Sequence, residues 1–174
     1  MSKQFDVVVI GGGPGGYIAA IRAAQLGFNV ACIDEWKNDK GGPALGGTCT
    51  NVGCIPSKAL LQSSEHFDHA NHHFADHGIS ATNVTMDVTK MLARKDAIVK
   101  QNNDGVQYLF KKNKITFFHG RGSFVSASAD GYVINVAGAT EDSLLGKHII
   151  VATGSNARPL PGAHFDEERI LSND

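Results

Sequence analysis

Two thiols separated by four residues, Cys49 and Cys54 in GGTCTNVGCIPSK (46–58), have the residue type and spacing that most directly suggest chemistry. Zinc sites usually use shorter pairs, joined by a second pair or by histidines at a fitting distance. A redox disulfide fits better, with two buried free cysteines as the plain alternative. A bridge would constrain the backbone, because five residues of straight α-helix rise about 7.5 Å while bridged Cα atoms rarely lie more than about 7 Å apart. Segment 49–54 must then be distorted, and Asn51 and Gly53 tolerate distortion. A constrained disulfide beside a helix start is easier to reduce, and a thiolate there has a lowered pKa. Cys32 sits in an apolar run and reads as inert core. Three cysteines are too few and too odd for a secreted disulfide framework.

The second chemical signal is Gly11-x-Gly13-x-x-Gly16, with Asp34 placed 18 residues further on. The pattern alone is weak. Between a strand and a helix, however, each part has a task. Gly11 makes the tight turn, Gly13 lets backbone approach a pyrophosphate, and Gly16 lets the helix pack on the strand. The helix N-terminus then offers free N–H groups and a positive dipole end to phosphate. Asp34 stands where a carboxylate would accept hydrogen bonds from a ribose. Glu35 either shares that role or is a solvated surface carboxylate.

These residues need particular elements to hold them. FDVVVI (5–10) reads as a buried parallel strand, YIAAIRAAQLGF (17–28) as a helix with apolar residues at helical spacing, and NVACID (29–34) as a second buried strand. Together they make a βαβ unit. A helix starts near Pro56 and ends at Gly78, since proline suits the first helical position. Residues 87–112 read as one long amphipathic helix with Gly105 as a weak point. Short strands follow at 115–120, 122–127, 132–137 and 148–153, with Asp130-Gly131 as a hairpin turn. The expected fold is α/β: a parallel sheet of 5–10, 29–34, 115–119 and 148–153 flanked by helices, with a small antiparallel hairpin layer (122–137) on the opposite side.

Composition narrows the classes. Hydrophobic residues are 42% and charged residues 19% of 174, ordinary for a globular chain and too apolar for disorder. A net charge of −1 gives no electrostatic case for nucleic acid or an anionic membrane. The long uncharged run at 7–21 is broken by glycines and a proline, so no membrane span is expected. The start MSKQFDVVVI lacks the pattern of a signal peptide. A cytoplasmic protein is expected. His66, His69 and His73 share a helical face at i, i+3, i+7, beside His72 and His77. With no obvious acidic second shell they read as a solvated face, and no metal is expected.

GGGPGGYIAAIRAAQLGF, then CID, then GGTCTNVGCIPSKALL, and finally VATGS (151–155) closely resemble the disulfide-containing flavoprotein oxidoreductases, over essentially the whole chain. Ser57 in IPSK disfavours the glutathione-reducing branch, where a lysine is expected. The run Ile55-Pro56 with Lys58-Ala-Leu-Leu favours the lipoamide-oxidising branch over the mercuric-reducing one. The resemblance implies a Rossmann-like FAD-binding domain over 1–174, with the FAD pyrophosphate over Gly11, Gly13, Pro14, Gly15 and Gly16 and the adenosine ribose on Asp34. Gly47, Thr48 and Cys49 would line the flavin side, and Gly122, Thr153, Gly154 and Ser155 match further FAD-contacting positions. It also implies that Cys49 is the interchange thiol, Cys54 the thiol stacked on the flavin, and Lys58, at i+4 from Cys54, a charge supporting electron density there. Dihydrolipoamide would be oxidised through Cys49–Cys54 and FAD to NAD, in a homodimer serving the lipoyl domains of 2-oxoacid dehydrogenase complexes. The loop 34–47 is longer than in many relatives and is expected to bulge near the adenosine end. No second GxGxxG and no histidine in the family's catalytic motif is present. The chain is therefore expected to be the N-terminal portion of a longer enzyme, without its nicotinamide and interface domains, and inactive alone.

Overall fold

The computed structural model describes residues 2–139 and 141–172. The domain expected over 1–174 lies outside that description at Met1, Thr140, Asn173 and Asp174. Five strands, β1 (Lys3–Ile10), β2 (Val30–Asp34), β3 (Thr116–Ser128), β4 (Gly131–Gly138) and β5 (Asp142–Val151), are hydrogen-bonded in a closed ring in that order. The β1–β2, β2–β3 and β1–β5 pairs are parallel, while β3–β4 and β4–β5 are antiparallel. The helices are α1 (Pro14–Gln25), α2 (Gly47–Asn51), α3 (Cys54–His72) and α4 (Val88–Lys112).

The runs 7–10 of β1 and 30–33 of β2 are apolar at every position because both faces are covered. Val8, Ile10, Ala31, Ile33 and Phe118 point to one side, where Ile134, Val136 and Leu144 close a core between the parallel and antiparallel parts. Val7, Val9, Val30 and Cys32 point to the other side and meet Ala20 of α1 and Val106 and Phe110 of α4. Each such Val, Ile, Leu or Phe side chain contributes on the order of 1.5–3 kcal/mol when fully buried.

The expected α/β architecture is present, with the antiparallel part differing in construction. It is not a separate hairpin layer. β3 runs unbroken from 116 to 128, its first residues pairing with β2 and its later ones with β4, with a register shift between Phe124 and Ser126. β5 likewise begins at Asp142, ahead of the expected 148, and pairs with β1 and β4 at once. Its polar opening masked it in the sequence. The hairpin pairs Ser128 with Gly131, so the turn is Ala129-Asp130, one residue earlier than expected.

The α4 helix starts at Asp87, whose side chain accepts the Lys90 N–H at 3.0 Å, and passes through Gly105 without a break. The α3 helix starts at Cys54, two residues before Pro56, and a 3-10 turn over 74–77 ends at Gly78 with φ +70°. Arg94 of α4 clamps α3 by donating to the Ala59 carbonyl at 2.9 Å and to Gln62 Oε1 at 2.5 Å. Gly105 is exposed, and a Cβ built on it meets nothing within 4 Å. Gly105→Ala is therefore expected to stabilise the fold by about 0.5–1 kcal/mol, through helix propensity and a less flexible unfolded chain. A urea midpoint that stays put or falls would contradict this.

Candidate active site: a dinucleotide cleft ending in two thiols

At the C-terminal ends of the parallel strands a cleft of about 730 Å³ opens, lined from the glycine turn to the cysteine segment. Gly11 holds φ +108°, and a Cβ there would collide with the Ala152 carbonyl oxygen. A Cβ at Gly16 would collide with the Gly11 carbonyl oxygen, which is why α1 can start so close to β1. No side chain caps α1 at Gly13, and Gly13, Pro14 and Gly15 all line the cleft. The orphan N–H groups and the positive dipole end of a 12-residue helix are thus available to an anion.

Asp34 ends β2 half-buried, and both carboxylate oxygens accept backbone N–H groups. Oδ2 takes Gly12 N–H at 2.6 Å and Oδ1 takes Trp36 N–H at 2.8 Å. Asp34 therefore braces the glycine turn and the start of the 35–46 loop while it lines the cleft. Glu35 is exposed, with Arg121 at 3.6 Å, and also lines the cleft. The 35–46 loop is a short hairpin: the Trp36 carbonyl accepts Ala44 N–H at 3.1 Å and lies 3.2 Å from His119 Nε2. It returns to the glycine turn through Gly46 N–H, donated to the Gly12 carbonyl at 2.9 Å.

The cysteine segment is distorted as a bridgeable pair requires. The α2 helix stops at Asn51, Val52 and Gly53 leave helical geometry, and Cys54 opens α3. Both cysteines are free thiols, Cys49 half-buried and Cys54 exposed, and their side chains are hydrogen-bonded to each other. That bond is the main cause that raises the Cys49 pKa above the ordinary thiol value of 9.0; burial adds to it, and Lys58 opposes it. The Cys49 thiol is thus held up because its neighbour stabilises the protonated form. Cys32 is fully buried, donates weakly to the Gly11 carbonyl at 3.7 Å, and is pushed up to about 12 by burial. It is the inert thiol the sequence suggests.

Of the residues singled out in the sequence, Gly11, Gly13, Pro14, Gly15, Asp34, Glu35, Gly47, Thr48, Cys49, Cys54, Gly122, Thr153, Gly154 and Ser155 come together around this one cleft. Gly16 packs beneath it. Lys58 lies exposed on α3 outside the lining, near enough for its charge to act on Cys49. Sequence reasoning missed Trp36, Gly120 and Ala152, which also line the cleft. His66, His69, His72, His73 and His77 are exposed, and His72 Nδ1 lies 2.9 Å from Asp68 Oδ1. Among the described residues no group of three or more His, Cys, Asp or Glu is placed to hold a metal ion. No helix of the described residues is long and apolar enough to cross a membrane.

A glycine turn on a parallel sheet, an uncapped helix start and a thiol pair at the far end of one cleft define a dinucleotide-binding α/β fold with a dithiol. The sequence matches the family described as "Pyridine nucleotide-disulphide oxidoreductase" over residues 5–173. It is 55% identical to the dihydrolipoyl dehydrogenase of Cupriavidus necator over 176 residues, all of this chain and 36% of that protein. It is 51% identical to a mitochondrial dihydrolipoyl dehydrogenase of Pisum sativum, covering 99% of this chain and 33% of that one. To the leghemoglobin reductase of Vigna unguiculata it is 49% identical, at 99% and 31% coverage. The chain belongs to the pyridine nucleotide-disulphide oxidoreductase family. It spans about a third of the length of these relatives.

Two outcomes follow from the site. Asp34→Ala leaves the Gly12 and Trp36 N–H groups without their acceptor and is expected to cost about 1–3 kcal/mol in urea unfolding. Glu35→Ala, at an exposed pair, is expected to stay within about 0.5 kcal/mol. Equal losses would mean that Asp34 is no brace. For Cys49, only the thiolate reacts with alkylating reagents, so its rate in the reduced protein should rise with pH through a midpoint above 9.0. Stabilisation from the raised pKa is fully present below 9.0 and is lost as pH climbs through the folded value. Cys54→Ala removes the main cause and should bring the midpoint down; an unmoved midpoint would refute the assignment.

Proposed function

We propose that this chain is the FAD-binding part of an oxidoreductase of the dihydrolipoamide dehydrogenase type. The observation that carries the reading is the placement of the Cys49/Cys54 pair at one end of the cleft whose other end is the glycine turn and Asp34. The residues present fit FAD. Gly11, Gly13, Pro14 and Gly15 with the α1 N-terminus would take the pyrophosphate, and Asp34, with Glu35 beside it, lies at the ribose end. Gly47, Thr48, Gly122 and the 153–155 segment would complete the walls, with Lys58 contributing charge from outside. Bound FAD would supply a two-electron acceptor between the dithiol and NAD.

The chain's own part of the chemistry is thiol–disulfide exchange. A dihydrolipoamide thiolate attacks Sγ of Cys49 in the oxidised pair, breaking the Cys49–Cys54 bond and forming a mixed disulfide. The second lipoamide thiol then displaces Cys49, leaving cyclic lipoamide and the reduced pair. Two electrons and two protons have moved from substrate to the two cysteines. The family resemblance gives exchange to Cys49 and the flavin contact to Cys54; Cys54 is the more exposed of the two in the chain alone, and bound FAD would cover it. A homodimer, the lipoyl domains of 2-oxoacid dehydrogenase complexes as partners, NAD as co-substrate and a cytoplasmic location belong to the same proposal. The likeness to the dihydrolipoyl dehydrogenases supports the partners and NAD, and three cysteines, too few and too odd for a secreted disulfide framework, accord with a reducing compartment.

The test uses the reduced chain, brief alkylation and mass-spectrometric mapping, with and without added FAD. Cys54, the more exposed thiol, should label first in the chain alone. FAD should bind, with perturbed flavin absorbance, and protect Cys54 far more than Cys49. No flavin binding, or equal protection of both thiols, would sink the reading.

A further inference from the structure

Helix α4 reaches the thiol segment through one side chain that the proposed chemistry does not use. The Asn103 amide donates one N–H to the Leu45 carbonyl oxygen at 2.5 Å and the other to Asn51 Oδ1 at 3.1 Å. Asn51 in turn donates its two N–H groups to the carbonyl oxygens of Gly47 at 2.9 Å and Ala44 at 3.3 Å. Four amide protons thus meet four oxygens, so the direction of the chain is fixed: either amide turned over would set oxygen against oxygen. Both side chains are half-buried, where a donor or acceptor left unmatched is costly.

What these bonds hold is the approach to Cys49. Residues 44–47 lead into α2 through Gly46 at φ +119° and Gly47 at φ +60°. Backbone in that region is held by its surroundings more than by its own preference. The α2 helix has only five residues and could not persist alone. Its orientation sets where Cys49 stands relative to Cys54, which opens the next helix. A disulfide forms only when its Cα and Cβ atoms meet narrow distance limits, and departures store strain that favours the dithiol.

We propose that Asn103 is a positioning residue of the Cys49/Cys54 couple: by pinning residues 44–51 to α4 it sets the balance between dithiol and disulfide. The inference rests on the reading of that pair as redox-active. Releasing the pin lets the segment relax around the bridge, so the disulfide gains and the hydrogen bond that holds back the Cys49 thiol loosens.

The test compares Asn103→Leu with Asn102→Leu in the complete chain. Asn102 is the adjacent residue of the same type, and its amide donates only within its own helix, to the Ile98 carbonyl at 2.8 Å. Dithiol and disulfide are equilibrated in glutathione buffers and counted by mass spectrometry. Asn103→Leu should favour the disulfide by about tenfold, or about 30 mV for a two-electron couple. It should also raise the ratio of Cys49 to Cys54 alkylation rates in the reduced protein about threefold. Asn102→Leu should move neither. Should Asn103→Leu not fold, Asn103→Ser keeps one donor and should give smaller shifts of the same sign. A folded Asn103 variant that changes thermal stability alone, or an equal shift from Asn102→Leu, overturns the proposal. If the unaltered chain forms no reversible Cys49–Cys54 bridge, the redox reading is what fails, and the alkylation ratio still decides the role of Asn103.

Discussion

Backbone meets backbone without side chains where β1, β5 and α1 converge, and the cleft exists because of that closeness. Gly11 lies against the backbone of Ala152, and Gly16 against the carbonyl of Gly11. Gly47 lies against Gly13, where an added Cβ would stand 2.7 Å from the Gly13 Cα. The first two contacts let α1 begin directly over the strand ends, with its uncapped N–H groups facing the opening. The third fixes how far the cysteine segment stands from the glycine turn. A methyl group at Gly11 or Gly16 would push α1 away from the strand ends, and one at Gly47 would part the two ends of the site.

Polar side chains then hold what the glycines allow. Glycine-rich backbone is flexible when unsupported, and the support is hydrogen bonding from outside the turn. Asp34 takes the N–H groups of Gly12 and Trp36, while the Asn51–Asn103 pair takes carbonyl oxygens of residues 44, 45 and 47. Among the described residues no buried side-chain nitrogen or oxygen lacks a partner. A site built this way presents its groups in a set geometry before any ligand arrives, which reduces the ordering cost of binding.

The three cysteines show how environment divides one functional group into different reactivities. Cys32 alternates into the helix-side core of β2, where burial pushes its thiol up to about 12. Cys49, on the short α2, is half-buried and raised by its bond to Cys54, whereas Cys54 stands exposed at the start of α3. Only the second and third are neighbours in a cleft.

The sequence by itself determined the parts that depend on short-range rules. The βαβ opening follows from apolar runs and glycine spacing, the interrupted helix at 51–54 from the limits on a bridgeable cysteine pair, and the inert Cys32 from its apolar strand. Residues up to 58 were legible because their partners lie close along the chain or in a pattern of fixed offsets. Tertiary structure alone decided the rest. The partners on either side of β4 turned out to be continuations of β3 and β5, since a strand that passes from one pairing to the next carries no signal at the point of transfer. The carboxylate of Asp34 is spent on backbone 22 residues away, and Asn103 serves a segment 58 residues away. An asparagine on a helix looks like any solvated surface residue, and only the packing of α4 against the thiol segment gives it a task. Such long-range hydrogen bonds need two surfaces brought together by the whole fold, so no local pattern could record them.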